Sequence, residues 1–199
     1  LYETTYDSAW FVKATELSKE TNRLFRNPKG PYYDSGNDGE ILLTRNAEGS
    51  DGVEPSGNSS LAQAFLRLHS YGLTSQFYDD AQRIFQSFAP YLEQSGVSFS
   101  AMLSGLHFCL SKTKEVVIFG RRGEEKTDLL LTEIRNEYHP NIVVSFLEKG
   151  DNQEKEKIIP LALGRSMIND IATAYVCQNQ TCKIPVHSVE ELRKLLIPH

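Results

Sequence analysis

Apolar positions along the first half of the chain recur at helical spacing. Trp10, Phe11, Ala14, Leu17, Leu24 and Phe25 form one such stripe, and Asn27-Pro28-Lys29-Gly30 stops it. Stripes at 60–71 (Leu61, Phe65, Leu66, Leu68), 75–94 (Phe77, Ala81, Ile84, Phe85, Phe88, Leu92) and 99–110 (Phe99, Met102, Leu103, Leu106) predict three more helices. Their short links predict antiparallel helical hairpins. Two short strands are predicted at 31–35 and 41–45, flanking the turn Gly36-Asn37-Asp38-Gly39. A polar, Gly-rich loop fills 46–58.

The pattern changes near Lys112. β-Branched runs at 115–119 and 141–147 enclose a helical stripe at 124–138 (Leu130, Leu131, Ile134), which predicts a parallel βαβ unit. A charged loop is predicted over 150–157. A third strand is predicted at 173–177. Ser188-Val189-Glu190-Glu191 is a capping box opening a final helix at 189–196. The fold expected is therefore mixed: helical hairpins over 1–111, then a small α/β unit with a mostly parallel sheet over 112–199.

Composition narrows the function. The 199 residues are 40% hydrophobic and 24% charged, with net charge −5. There is no basic block, so nucleic acid is not expected as a partner. No apolar run is long enough for a bilayer, so no membrane partner is expected. The three cysteines are too few for a disulfide-dense module, and a reducing, intracellular compartment is the default expectation. The chain opens at Leu1 and already reads as domain interior, which suggests a piece of a longer protein.

Two segments concentrate candidate chemistry. Asp51-Gly52-Val53-Glu54-Pro55-Ser56-Gly57-Asn58-Ser59 gathers carboxylates, hydroxyls and an amide before a helix. It reads as a loop with an N-cap, or as a pocket rim with Asp51, Glu54, Ser56 and Asn58 binding hydroxyl groups. Tyr33, with Asp34 beside it, adds an aromatic face of the kind a sugar ring stacks on. The second segment is Cys177 and Cys182, which face each other if the flanking runs pair as a hairpin. A zinc half-site with His187, a stable disulfide, a redox pair, and two small buried residues are the alternatives. No metal or cofactor is expected. Arg45 stands where a calcium loop at 34–40 needs its bidentate Glu. Gly120-Arg121-Arg122-Gly123 is followed by Glu124 and Glu125, and no G-x-G-x-x-G or G-K-[ST] pattern occurs. His69, His107 and Cys109 read as packed residues on apolar helix faces.

Several motifs in order resemble one family. They are Leu1-Tyr2-Glu3-Thr4-Thr5-Tyr6-Asp7, Asp51-Gly52 with Pro55-Ser56-Gly57-Asn58-Ser59, Ala174-Tyr175-Val176-Cys177 with Asn179, Cys182 and Pro185, and Glu191-Leu192-Arg193-Lys194-Leu195-Leu196. The chain resembles the C-terminal portion of the spermatogenesis-associated protein 20-like family of thioredoxin-domain proteins. The resemblance implies a missing N-terminal part with a thioredoxin-like domain. It also implies that the helical hairpins are the last part of an (α/α)6 toroid similar to N-acylglucosamine epimerase and six-hairpin glycosidases. On that reading the 51–59 loop lies near a carbohydrate-binding cavity. The function expected is carbohydrate binding or conversion. The alternatives are a thiol-redox or folding factor with its main thiols upstream and Cys177 and Cys182 as a secondary pair, and a non-enzymatic interaction module.

Overall fold

The structure, a computed structural model, describes residues 1–40, 43–150, 155, 157–178 and 181–197. These residues form two compact units. One comprises Leu1–Phe11, Ser70–Gly72 and Ser111–His199, and the other Val12–His69 and Leu73–Leu110.

The helical unit contains most of α2 (Ser8–Phe25), α3 (Gly57–Ser70), α4 (Ser75–Ser95), a 3-10 turn at Gly96–Phe99 and α5 (Ser100–Leu110). Its core is aromatic. Phe65 stacks on Phe77 with centroids 4.9 Å apart, and Tyr32 meets Phe65 edge-on. Thr74 caps α4, accepting from Gln76 N–H. The helices α2 to α5 do not close a ring among the described residues, so the expected toroid is not the architecture of this unit.

The hairpin expected at 31–45 is not formed by the described residues, and Ile41 and Leu42 lie outside them. The physical reason is the end of α2, whose last carbonyls lack intrahelical donors. Asn37 N–H donates to Leu24 O at 3.0 Å, Asn37 Nδ2 to Arg23 O at 3.0 Å, and Tyr33 N–H to Phe25 O at 2.9 Å. The described loop residues cap the helix, and across the loop Asp34 N–H donates to Asn46 O at 2.8 Å with no strand assigned among them.

The second unit holds α1 (Tyr2–Thr5), β1 (Lys114–Gly120), α6 (Glu125–Asn136), β2 (Ile142–Glu148), a 3-10 turn at Pro160–Ala162, β3 (Thr173–Gln178), β4 (Thr181–Cys182) and α7 (Val189–Leu196). The sheet order is β2-β1-β3-β4. β1 and β2 are parallel across the α6 crossover. β3 pairs with β1 antiparallel, and β4 with β3 antiparallel. The sheet is therefore mixed and predominantly antiparallel, a correction to the mostly parallel expectation. The reason lies in the connection after β2. It delivers the chain to Thr173, opposite Phe119, at the end of the sheet where β1 and β2 finish. A third parallel strand would require a full return crossover. The loop expected over 150–157 falls mostly outside the described residues.

Alternation divides the sheet into two faces. Val116, Ile118, Val144, Phe146, Ala174 and Val176 pack under α6 and α7, together with Leu130, Ile134, Leu192 and Leu196. Arg193 Nε and Nη2 donate to Glu133 at 2.7 and 2.8 Å and tie the two helices together. The capping box of α7 forms: Ser188 Oγ accepts from Glu191 N–H and donates to its carboxylate at 2.9 Å. Lys114 Nζ donates to the carbonyls of Leu195, Leu196 and Ile197 at the other end of that helix.

The opposite face carries Val117, Phe119, Leu147 and Tyr175, packed against Ala162, Leu161 and Met167. At the β2 edge, α1 straddles the strand. Tyr2 hydrogen-bonds Ser145 on one face, and Tyr6 meets the Phe146 ring on the other at 5.7 Å.

Candidate thiol-disulfide site

The sheet edge formed by β3 and β4 brings Cys177 and Cys182 into direct register, and the two are disulfide-bonded. The turn residues Asn179 and Gln180 lie outside the described residues. Cys177 is 2% exposed, whereas Cys182 is open to solvent. Over the bridge lies Arg165, whose Nη2 is 3.3 Å from Cys177 Sγ and 3.0 Å from Cys182 Sγ. The segment after the Pro160–Ala162 turn holds it there. Arg165 N–H donates to Ala162 O at 3.2 Å, and its Nη1 donates to Leu161 O. The guanidinium also lies over the Tyr175 ring, 5.9 Å from its centroid. Tyr175 Oη is fixed by donation to Ser166 O at 2.8 Å. Burial pulls the Arg165 guanidinium below its usual range, and Tyr175 and Glu115 partly oppose that pull.

Glu115 completes the group. It is the β1 partner of Cys177, so Glu115, Cys177 and Cys182 form one row across the sheet on the same face. Burial pushes its carboxyl up to about 7; its own backbone N–H and the charge of Arg165 work against the shift. Sequence reasoning did not single out Arg165 or Glu115. For Glu115 one signal existed, a carboxylate opening an otherwise apolar strand. Arg165 sits in the 158–171 segment, which has no readable periodicity, so its neighbours are set by tertiary packing alone.

His187 takes no part in this site. Its Nδ1 lies 3.1 Å from Ala172 O and 3.3 Å from Thr173 Oγ1, at the other end of β3. Four residue-to-residue steps of strand run from Thr173 to Cys177, about 13 Å. Among the described residues no group of three or more His, Cys, Asp or Glu side chains could hold a metal ion. The third cysteine, Cys109, is half-buried; burial pushes its thiol up, and a hydrogen bond from Tyr78 offsets part of this.

The 51–59 loop is organised from within. Asp51 Oδ1 accepts from Ser56 N–H at 2.9 Å and Oδ2 from Ala101 N–H at 2.8 Å, at the start of α5. Desolvation raises the Asp51 carboxyl, but donors from Ser56, Ser59, Ala101 and Met102 outweigh it and hold the group below its usual range. Asn58 is buried. Its Oδ1 accepts from Tyr32 N–H at 2.8 Å, and its Nδ2 donates to Tyr32 O and Glu48 O at 2.9 and 2.8 Å. Ser56 is the N-cap of α3, accepting from Ser59 N–H at 3.1 Å, and its hydroxyl sits 3.0 Å from Gly49 O. Glu54 is exposed, and the Tyr33 ring is covered by Arg45, whose Cζ is 4.1 Å from the ring centroid. Asp51, Ser56 and Asn58 are thus brought together, but as the internal frame of the loop.

The fold and this site define a mixed α/β unit whose edge hairpin is closed by a disulfide beneath an arginine, joined in one chain to a helical unit. No family model matches the chain. Human spermatogenesis-associated protein 20 is 31% identical over 200 aligned residues, covering 100% of this chain and 25% of the human protein. The Mus musculus protein of the same name is 30% identical over 198 residues, again with 25% of its length covered. A Caenorhabditis elegans protein is 25% identical over 197 residues. The chain is related to spermatogenesis-associated protein 20-like sequences and spans about a quarter of the length of these curated relatives. No helix among the described residues is long and apolar enough to cross a membrane.

Proposed function

We propose that this chain contributes a redox-active disulfide, and that Cys177 and Cys182 exchange with the thiols of a partner. The observation that carries the reading is the position of Arg165, within 3.3 Å of both sulfurs. A disulfide is neutral and needs no cation beside it. A thiolate does, and a neighbouring guanidinium lowers the pKa of a cysteine. Holding a half-buried guanidinium against a neutral bridge costs desolvation energy, which the Leu161 carbonyl, the Tyr175 ring and Glu115 offset in part and a thiolate from the opened bridge would offset further. The two sulfurs also differ in access. Exposed Cys182 offers the point of attack, and buried Cys177 is the leaving group. The resemblance to thioredoxin-domain proteins supports the same reading, because an upstream thioredoxin-like domain would supply the dithiol. The carbohydrate reading has no comparable support, since Asp51, Ser56 and Asn58 are engaged within their own loop.

The test is the reduction potential of the bridge. The protein is equilibrated in glutathione redox buffers, quenched with an alkylating reagent and weighed. Catalytic pairs lie between about −120 and about −270 mV, whereas structural disulfides fall below about −300 mV. A value in the second range would leave Cys177 and Cys182 as a clip and end the exchange reading.

A further inference from the structure

We infer that Glu115 exchanges a proton with Cys177 when the bridge opens and closes, an inference that rests on the exchange reading above. The geometry is the cross-sheet row. Glu115 and Cys177 are register partners on antiparallel strands with side chains on one face, and Cys177 is the register partner of Cys182. Directly opposed residues of such a pair have Cβ atoms about 4.5–5.5 Å apart, which puts a carboxyl within direct or one-water reach of the facing sulfur.

Among the described residues few charges compete for Glu115. On the β3 side it faces Cys177 and, diagonally, Tyr175; on the β4 side lies Cys182. From the segment after the 3-10 turn it faces Arg165. On the β2 side its partner is Val143, which is uncharged. Lys114, next in the strand, points to the other face and is engaged at the end of α7. The carboxyl therefore sits between one cation and one pair of sulfurs. Its raised pKa of about 7 keeps it partly protonated at neutral pH, as a proton donor must be.

The thiolate of a small thiol or of a protein dithiol attacks Cys182 Sγ and forms a mixed disulfide. The S–S bond breaks and its electron pair goes to Cys177 Sγ, beside Arg165. Protonated Glu115 passes its proton to that thiolate, and the resulting carboxylate is compensated by Arg165. A second thiolate of the reductant attacks the mixed disulfide on the reductant's sulfur and releases Cys182. Two thiols are oxidised to one disulfide, Cys177 and Cys182 gain two electrons and two protons, and solvent reprotonates Glu115. Closure of the bridge runs the same steps backwards, with ionised Glu115 taking the Cys177 proton.

The experiment measures the rate at which glutathione opens the bridge from about pH 6 to about pH 8, divided by the thiolate fraction of glutathione at each pH. In the native protein this corrected rate is expected to fall on the order of tenfold across the range, because the donor ionises and a carboxylate then faces the departing thiolate. Glu115→Gln should give a flat profile. Equal declines in both proteins, or a flat native profile, would overturn the role of Glu115 while leaving the exchange reading intact. A bridge that glutathione does not open at any pH would instead remove the exchange reading. Should Glu115→Gln fail to fold, carboxyl 13C titration of the native protein decides the matter. In the oxidised protein the Glu115 midpoint is expected to coincide with the pH at which the corrected opening rate has fallen to half, and a midpoint well away from that pH overturns the inference.

Discussion

Glu115 on β1 faces Cys177 on β3 directly across an antiparallel pair. The pairing sets an ionisable carboxyl against a sulfur at the one edge of the sheet where a second cysteine is also in register. Neither residue has this neighbour in a parallel arrangement, so the site depends on the direction of β3.

Arg165 should control how readily the bridge opens. Arg165→Gln keeps a donor for the Leu161 carbonyl but removes the charge, and should slow opening by glutathione about tenfold through a higher Cys177 pKa. Arg165→Lys should restore part of the rate, because charge matters here more than the planar fork. Stopped alkylation with mass analysis reads both. Equal rates in all three proteins would mean that Arg165 does not act on the thiolate.

Stability should fall as pH rises through the window set by Glu115. Its folded carboxyl titrates near 7 against an ordinary value of 4.5. Between those values the unfolded chain has released the proton and the folded chain still holds it, so unfolding becomes easier as pH rises. The loss should amount to about 1–2 kcal/mol once partial solvent access is allowed for. Glu115→Gln should abolish that slope and be the more stable protein at pH 8. Urea melts across the range measure it, and identical slopes in the two proteins would refute the assignment.

The 51–59 loop should respond as a structural frame. Asn58→Ala leaves Tyr32 N–H and two carbonyls without partners in a buried place and should cost about 2–3 kcal/mol. Glu54→Ala, at an exposed position, should change stability by less than about 0.5 kcal/mol. Asp51 should contribute stability above its ordinary value of 3.8, lost as pH falls through its depressed folded pKa. Thermal melts of the variants at neutral and acid pH check all three. A harmless Asn58→Ala would show that the loop is held by something else.

Gly120 ends β1 where a Cβ would collide with the buried side chain of Thr127. Gly120→Ala should cost about 1–3 kcal/mol through displacement of the first turn of α6. The paired variant Gly120→Ala with Thr127→Ala, which removes both the obstructing hydroxyl and the methyl, should recover part of that loss. Failure of the pair to recover any stability would place the strain elsewhere.

Much of the local structure was legible because it depends on near neighbours. The stripe of Phe77, Ala81, Ile84, Phe85 and Phe88 forms α4 and is buried as its spacing requires. The α7 capping box is complete within four residues. The βαβ unit followed from two β-branched runs around one helical stripe. The described residues of 31–45 form no hairpin although the turn residues were favourable. The unsatisfied carbonyls of Arg23, Leu24 and Phe25 took up its donors, and that competition is invisible to a local pattern.

The sequence by itself determined where the long helices and the strands β1, β2 and β3 form, that β1 and β2 run parallel, and that Cys177 and Cys182 would be opposed if their runs paired. Those properties follow from periodicity, caps and chain length. Tertiary structure alone decided that β3 returns antiparallel along β1, that Arg165 lies over the sulfurs, and that Glu115 shares their row. Each requires segments tens of residues apart to be fixed in space, and no side-chain period along the chain records which face or which edge they will share.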